Sequence, residues 1–326
     1  MKEQDSQNFI KALKTGDRTL MQKVPRADVH NHAALGGDFH SWIKSEGLNM
    51  KEGAHNFPDF TDFQNLVDNI FTYPYTNPTN KQRQDRFLSL FAATYELAIA
   101  DGVTYIEPGY DSVFLDLYEM DIDLMIQNFS KQTALFKDSI TIAPDIGMIR
   151  VMDLKDIERT IYPCIESGFF NALDIFADER MGPPEDFVPI YRAAKKSGMK
   201  LKAHAGELLD ADYVRRSVEV LELDEVQHGI SAAGSKEVMR FLQENKIRLN
   251  ICPSSNIQLC QAESYKTHPL RVLMDNGIKV TVNTDDAIIF GKKSTDEFFS
   301  LFETGLYSAE ELDEVRLNGF PDTYSV

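Results

Sequence analysis

Short apolar runs alternate with amphipathic helical patterns over most of this chain, and that alternation restricts the possible folds most strongly. Eight runs have the length and composition of buried strands. They span residues 27–32, 103–107, 140–149, 171–176, 200–204, 225–228, 248–252 and 279–285. Helical patterns lie between them, for example at 188–197, 211–221, 235–245 and 269–276. Eight alternating units predict an α/β protein with a (β/α)8 TIM barrel, rather than an open, doubly wound sheet.

The length of 326 residues suits one barrel, since this architecture commonly uses about 250 residues or more. We therefore predict a single domain over residues 1–326. Residues 4–22 have the pattern of one or two amphipathic helices interrupted at Gly16, and residues 40–100 that of a helical insertion with a long helix at 81–100. Two interpretations of this aromatic-rich insertion remain open: a lid over a flat substrate, or a helical subdomain with its own small core.

Composition and charge exclude several classes of partner. The chain is 43% hydrophobic, enough for a large core, yet it contains no apolar run near the roughly 20 residues of a membrane span. Its formal net charge of −17 repels phosphate backbones and anionic lipid surfaces, so we predict neither nucleic acid nor membrane as a partner. A small molecule is the expected partner, and the sequence makes no prediction of oligomeric state.

Cysteine usage and the N-terminus favour a reduced, cytoplasmic location. The three cysteines show no C-x-x-C spacing, which argues against a disulfide framework or a thiolate zinc site. Residues 1–14 are polar and lack the apolar core of a secretory signal. There is no G-x-G-x-x-G after the first strand and no Walker A sequence, so a nucleotide cofactor is not expected.

Polar residues stand at the ends of four predicted strands. His30 and His32 end the first strand on one face, His204 ends the fifth, His228 the sixth, and Asp285 the eighth. The carboxyl ends of all barrel strands meet at one mouth, so four of the seven histidines are directed to a single point. An isolated H-x-H pair is more often packed or hydrogen-bonded than bound to a metal. The whole set, neutral imidazoles with a carboxylate, predicts one Zn²⁺ per chain.

Five motifs together give the chain a resemblance to a known family. They are V-H-N-H at 29–32, K-A-H-A-G-E at 202–207, Q-H-G at 227–229, C-P-S-S-N at 252–256 and V-N-T-D-D at 282–286. In this order they resemble the adenosine deaminase family of zinc aminohydrolases, and weaker similarity continues to about residue 320. The resemblance implies that His30, His32, His204 and Asp285 are the metal ligands, with Asp285 also acting in catalysis.

The resemblance also implies roles around the substrate. Glu207 is expected to protonate the purine ring nitrogen next to the reacting carbon, and His228 to orient and deprotonate the attacking water. Substrate contacts are expected at Asp286, on the imidazole side of the purine, and at Ala177 and Gly206. The chemistry agrees, because attack at an aromatic C–NH₂ carbon is slow unless the ring nitrogen gains a proton. A helix N-terminal role for Glu207 and a capping role for Asp286 remain alternatives.

Departures from the family's pattern affect the expected substrate. A carboxylate that commonly binds the ribose 5′-hydroxyl is replaced by Ala34, the usual Gly by Ala177, and the usual Pro by Ala287. We expect hydrolytic deamination of adenosine or deoxyadenosine, or of AMP or dAMP, to the inosine form with release of ammonia. Possible phosphate partners are Lys44, Lys51, Arg83 and Arg86.

Two other functions remain open. The loss of a ribose-side carboxylate at Ala34 favours a free-base adenine aminohydrolase or another ring aminohydrolase as the first alternative. The second is a non-catalytic barrel that binds nucleosides. The presence of both Glu207 and Asp285 argues against it. The C-P-S-S-N segment is interpreted as a structural turn.

Overall fold

The computed structural model describes residues 3–53 and 56–324. Within them lie nine strands: β1 (Arg26–His32), β2 (Val103–Asp111), β3 (Thr141–Ile142), β4 (Asp145–Ile149), β5 (Ala172–Phe176), β6 (Lys200–Ala205), β7 (Glu225–His228), β8 (Arg248–Ile251) and β9 (Val280–Val282). Eight of them are parallel neighbours in the order β1-β2-β4-β5-β6-β7-β8-β9, with β3 beside β2 only. An isolated parallel bridge between Asn31 of β1 and Asp285, which follows β9, brings the two ends of the sheet together. The predicted (β/α)8 barrel is confirmed.

Helices connect the strands and cover the outside of the barrel. In the described residues they are α1 (Glu3–Thr15), α2 (Arg18–Met21), α3 (Phe39–Ser45), α4 (Phe60–Thr72), α5 (Asn80–Asp101), α6 (Phe114–Leu117), α7 (Ile122–Ala134), α8 (Leu154–Glu166), α9 (Val188–Lys196), α10 (Ala211–Leu221), α11 (Lys236–Glu244), α12 (Pro253–Gln258), α13 (Leu270–Asp275), α14 (Ala287–Phe290), α15 (Ser294–Glu303) and α16 (Ala309–Asn318). Short 3₁₀ helices occupy Pro184–Phe187 and Ile230–Gly234. No described helix has both the length and the apolar character needed to cross a membrane.

The predicted strand at 140–149 is two strands in the structure. Thr141–Ile142 and Asp145–Ile149 are separated by a break that contains Pro144. Proline has no N–H to donate to a sheet, so it interrupts a strand that pairs on both sides. The other seven predicted strands lie within a few residues of their predicted bounds.

A layer of buried charges fills the lower part of the barrel interior. Lys202 is fully buried, and its ammonium lies 2.6 Å from Asp145 Oδ2 and also contacts Glu107. Glu225 is a further carboxylate of this layer and pairs with Arg248, 2.6 Å away. Lys202 and His204 are two residues apart in β6 and therefore share its inward face. The ionic layer thus lies beneath a layer of histidines at the carboxyl ends of the strands.

Helices α3, α4 and α5 form the insertion after β1, and α1 with α2 confirms the helical pattern predicted before it. The long helix α5 begins after a capping box at Thr79 and ends at Gly102 with a left-handed φ of +89°. Buried Trp42, Phe57 and Phe63 belong to the same hydrophobic cluster as the barrel. Within the described residues the insertion therefore has no separate core. The assignment of residues 1–326 to one domain stays a prediction.

Candidate active site

Residues from four strand ends meet at the mouth of the barrel. His30 and His32 come from β1, His204 from β6 and His228 from β7, while Asp285 follows β9. Asp285 Oδ1 lies 3.4 Å from His32 Nε2 and 3.7 Å from His30 Nε2. One ligand atom each from His30, His32 and His204 lies within 4.8 Å of the others. The structure therefore brings together the residues for which the sequence predicts a metal site.

The outward hydrogen bonds of His30 and His204 leave the Nε2 atom of each ring without hydrogen. His30 Nδ1 lies 2.8 Å from the carbonyl oxygen of Asn250, and His204 Nδ1 lies 3.0 Å from a carboxylate oxygen of Asp174. A carbonyl and a carboxylate only accept, so hydrogen sits on both Nδ1 atoms. The two Nε2 lone pairs then face each other at 3.1 Å. Such an arrangement is repulsive by itself and fits a cation between the rings.

Burial keeps the candidate ligand histidines neutral. Burial lowers the pKa of His30 to about 4 and holds the pKa of His204 well below its usual value. The pKa of His32 is lowered for the same reason, although the Asp285 charge opposes the shift. Neutral imidazole is the form that binds a metal. Three such rings with the Asp285 carboxylate suit zinc better than calcium, which prefers oxygen ligands.

Glu207 and His228 lie beside this cluster. Glu207 Oε1 is 3.4 Å from His228 Nε2, and the Asn256 amide nitrogen is 3.4 Å from the same oxygen. Burial, reinforced by the negative charges of Asp285 and Glu179, raises the pKa of Glu207 well above its usual value. This shift favours the protonated carboxyl group of Glu207, the form that has a proton to give.

Glu179 anchors the loop that carries Glu207. Its buried carboxylate accepts hydrogen bonds from the backbone N–H groups of Gly206 (3.0 Å), Glu207 (2.9 Å), Leu208 (3.4 Å) and Leu209 (3.1 Å). A carboxylate that accepts several N–H groups fixes the path of a loop. The side chain of Glu207 is thus positioned by a residue that follows β5.

Several site residues have left-handed backbone conformations. The φ angles are +62° at His228, +57° at Asp285 and +74° at Ala177. For residues with a side chain this conformation costs about 1–3 kcal/mol each and persists where the surrounding structure imposes it. Gly206 has φ +75°, and a Cβ there would lie 2.2 Å from Val214 Cγ2. The turn before Glu207 therefore requires glycine.

A cavity of about 420 Å³ opens above the cluster. Its inner wall includes His32, His204, Glu207, His228, Asp285, Asp286, Ala177 and Asp111. Its outer wall is largely apolar and is formed by Phe60, Phe63, Val67 and Phe71 of α4, Phe87 of α5, and Phe114. The insertion thus supplies much of the cavity's outer wall.

The residues predicted to contact substrate differ in their placement. Asp286 and Ala177 line the cavity. One oxygen of Asp286 is buried without a hydrogen-bond partner, and burial together with the Asp285 charge raises the pKa of Asp286 well above its usual value. Gly206 donates its N–H to Glu179, and its carbonyl accepts from Ser231. Both backbone polar groups of Gly206 already have partners, and its contact with substrate stays a prediction.

Of the four possible phosphate partners, only Arg83 lines the cavity. Arg86 instead is buried, with its guanidinium over the Trp42 ring and a hydrogen bond to the Tyr73 carbonyl. Six carboxyl side chains line the same cavity: Asp68, Asp111, Asp116, Glu207, Asp285 and Asp286. The lining therefore has an excess of acid groups.

Sequence reasoning missed several residues of the site. Asp174, Glu179 and Asn256 touch residues with predicted roles, and His268 contacts Asn256. The C-P-S-S-N segment is more than a structural turn, because the side chain of Asn256, in α12, contacts both Glu207 and His228. The available signal was position: Asp174 and Glu179 lie in and just after a strand that ends at the barrel mouth.

Comparisons with known proteins agree with this geometry. The family model for adenosine deaminase matches residues 48–324. A protein of Treponema pallidum (strain Nichols) with the provisional name adenosine/adenine deaminase is 35% identical over 295 residues, which cover 90% of this chain and 97% of that protein.

Two solved structures share the fold. The adenine deaminase from Arthrobacter aurescens aligns with a TM-score of 0.77 at 22% identity and covers 90% of this chain and 92% of its own. An amidohydrolase from Burkholderia ambifaria with bound Zn aligns with a TM-score of 0.71 at 19% identity, covering 93% of this chain and 86% of its own.

Proposed function

The chain belongs to the adenosine deaminase family and is a hydrolytic deaminase, and from this premise we propose that it removes the 6-amino group of adenine, the free base. Deamination of an adenine-type substrate follows from the family. The choice of the free base rests on the cavity lining described below.

We propose that His30, His32, His204 and Asp285 hold one Zn²⁺. The facing Nε2 lone pairs of His30 and His204 support this ligand set. Zinc in such a site lowers the pKa of water from about 15.7 towards 7 and so supplies a nucleophile at neutral pH. The zinc in the related Burkholderia structure is consistent with the choice of metal.

Glu207 is the proposed proton donor. Its neutral carboxyl group lines the cavity beside the proposed metal ligands, where it can protonate the ring nitrogen adjacent to the reacting carbon. Protonation makes that carbon electrophilic as water attacks. The backbone N–H of Glu207 donates to the Glu179 carboxylate and holds Glu207 in place, which favours a preorganised acid.

The observation that carries the choice of adenine is a pair of acids on the cavity wall. Asp286 and Asp111 both line the cavity, and the charge of Asp111 contributes to the raised pKa of Asp286. Free adenine carries an imidazole N–H that a nucleoside lacks at N9. A protonated Asp286 can donate to one imidazole nitrogen while the Asp111 carboxylate accepts from the other. Ala34, which also lines the cavity, has no group for a ribose hydroxyl.

Adenosine is the second candidate, and the size of the cavity favours it. A volume of about 420 Å³ lies in the range used for drug-sized ligands and leaves space beside a bare purine. AMP and dAMP fit the lining less well, because the exposed part of the cavity offers a 5′-phosphate Arg83 beside the carboxylates of Asp68 and Asp116.

A substrate panel tests these proposals. Zinc-loaded protein would be assayed for ammonia release from adenine, adenosine, deoxyadenosine, AMP and dAMP. We expect the highest kcat/KM for adenine, and a higher value for adenosine would refute the free-base proposal. No turnover of any of the five would refute deamination of adenine-type substrates.

Replacement of Asp111 sharpens the test. We expect Asp111→Asn to lower kcat/KM for adenine by about 10-fold or more, since a neutral amide oxygen accepts a weaker hydrogen bond than a charged carboxylate. Activity on adenosine should change far less. The matched control is Asp116→Asn, because Asp116 lies at the exposed rim of the same cavity and pairs with Arg159.

A further inference from the structure

A chain of buried side chains leads from helix α13 to the active site, and its first member has a fixed protonation pattern. The backbone N–H of Leu270 donates to His268 Nδ1 at 3.1 Å. A backbone N–H can only donate, so Nδ1 of His268 accepts and carries no hydrogen. Burial lowers the pKa of His268 to about 4, so the ring is neutral. The hydrogen of His268 must therefore sit on Nε2.

The hydrogen on His268 sets the orientation of the next side chain. His268 Nε2 lies 3.2 Å from Asn256 Oδ1. An N–H facing the amide of Asn256 requires the oxygen at that position, which turns the NH₂ group to the other side. Asn256 is fully buried, so no bulk water competes for the amide.

The Asn256 NH₂ group then meets both proposed catalytic side chains. It lies 3.0 Å from His228 Nδ1 and 3.4 Å from Glu207 Oε1. Since the NH₂ group donates, His228 Nδ1 accepts, and the hydrogen of neutral His228 is on Nε2.

The other side of His228 agrees with this tautomer. His228 Nε2 lies 3.4 Å from Glu207 Oε1 and 3.8 Å from Asp285 Oδ2. An N–H pointing towards two carboxyl oxygens is favourable, whereas a lone pair there would be repelled. The contacts of Nδ1 on one side of the His228 ring and those of Nε2 on the other therefore indicate the same tautomer independently.

We propose that His268 and Asn256 are positioning residues that hold His228 as its Nε2–H tautomer, so that His228 donates a hydrogen bond into the site and does not accept the proton of the attacking water. That proton goes instead to the carboxylate of Asp285, whose Oδ2 lies 3.8 Å from His228 Nε2. This inference rests on the proposed deamination, and it changes the role of His228 that the family resemblance implies, deprotonation, to orientation alone. The same amide holds Glu207 Oε1 as an acceptor, which leaves Oε2 as the oxygen that bears the acid proton.

The test reads the tautomer directly. Zinc-loaded protein labelled with ¹⁵N-histidine would be studied by long-range ¹H–¹⁵N NMR, which separates ring nitrogens with and without hydrogen, and His228→Gln would assign the signals. We expect Nε2 of His228 to carry hydrogen and Nδ1 to lack it. The opposite pattern, or a mixture of the two tautomers, would overturn the proposal.

Asn256→Asp alters the middle side chain of the hydrogen-bonded series His268–Asn256–His228 with little change of shape. A carboxylate accepts on both sides, so His228 should move its hydrogen to Nδ1 and turn a lone pair towards Glu207. We expect the His228 signals to invert and kcat to fall by about 100-fold or more, with KM within about 3-fold and zinc retained. The matched control Asn276→Asp makes the same exchange at an exposed site in the C-terminal turn after α13, and should leave signals and kcat unchanged.

A second pair of variants separates positioning from folding. His268→Gln keeps an N–H donor for Asn256 Oδ1 and should preserve the His228 tautomer, whereas His268→Leu removes that donor and should give mixed signals. Equal spectra for the two variants would contradict a role for His268. Absence of turnover in the wild type with the expected tautomer would instead refute the proposed function and leave this inference standing.

Discussion

Replacing Glu179 by glutamine would test whether the loop that carries Glu207 depends on one carboxylate. Oε1 of Glu179 accepts the N–H of Glu207, and Oε2 accepts those of Gly206, Leu208 and Leu209. A glutamine has one oxygen for these two positions. The less costly orientation keeps that oxygen on the three-donor side, so the N–H of Glu207 would face an NH₂ group.

The size of the effect follows from these contacts. One buried N–H without an acceptor costs about 1–3 kcal/mol, and the bonds that remain lose their charge assistance, about 1 kcal/mol more. The total is about 2–4 kcal/mol. For 326 residues, at about 2.1 cal/mol/K per residue, this lowers Tm by roughly 3–6 °C. Because the lost bond belongs to Glu207 itself, a shift of about 1 Å in its position would lower kcat by roughly 100-fold.

The assay is thermal unfolding of zinc-loaded protein together with steady-state ammonia release. Glu185→Gln is the matched control, since Glu185 is exposed and pairs with exposed Arg216, a contact that contributes less than about 1 kcal/mol. We expect the control to retain its Tm and kcat. A Glu179→Gln protein with unchanged Tm and unchanged kcat would refute the reasoning.

Three further predictions concern the site and the layer below it. We expect His204→Ala and Asp285→Ala to lose zinc and activity together, while Glu207→Gln keeps zinc and loses at least about 100-fold in kcat. Metal analysis combined with rate measurement separates these outcomes. An active, zinc-free Asp285→Ala protein would contradict the ligand assignment. Burial raises the pKa of Asp111 to about 7, so its contribution to stability is complete below pH 4 and is lost as the pH rises through 7. The free energy of unfolding should therefore fall between pH 5 and 8 by about 2 kcal/mol more in the wild type than in Asp111→Asn, and parallel curves from chemical denaturation would contradict this. Lys202→Met removes the nearest cation from buried Asp145 and Glu107, whereas Glu225 keeps Arg248. The change should cost about 3–5 kcal/mol in denaturant unfolding, and proton uptake by the two carboxylates should make the loss smaller at acidic pH.

The barrel and the metal cluster could be predicted because both depend on local sequence patterns. Strand ends are visible as apolar runs that stop at a polar residue, and a parallel barrel brings all such ends to one mouth. His204 and Asp285 could therefore be assigned to one site although they are 81 positions apart. The third predicted strand is split at Pro144, which stands inside the apolar run at 140–149.

The supporting residues could not be predicted from spacing. Glu179 acts on a loop about 30 residues later, and Asn256 and His268 reach His228 from two different helical segments. Such contacts depend on rotamers and on the exact approach of neighbouring elements, which no period in the sequence encodes. The left-handed backbone at His228 and Asp285 is likewise imposed by the surrounding packing.

The layer of paired charges around Lys202 closes the floor of the barrel directly beneath the histidines. In the part of the chain that the structure describes, the remaining opening is the one bordered by the phenylalanines of α4 and α5. Purine, water and ammonia must therefore all pass through it. Entry and exit compete for this passage, so ammonia leaves either before the deaminated ring or past it. Residues far from the bond being broken, such as Phe63 and Phe87, would then govern how quickly the enzyme becomes free for its next substrate.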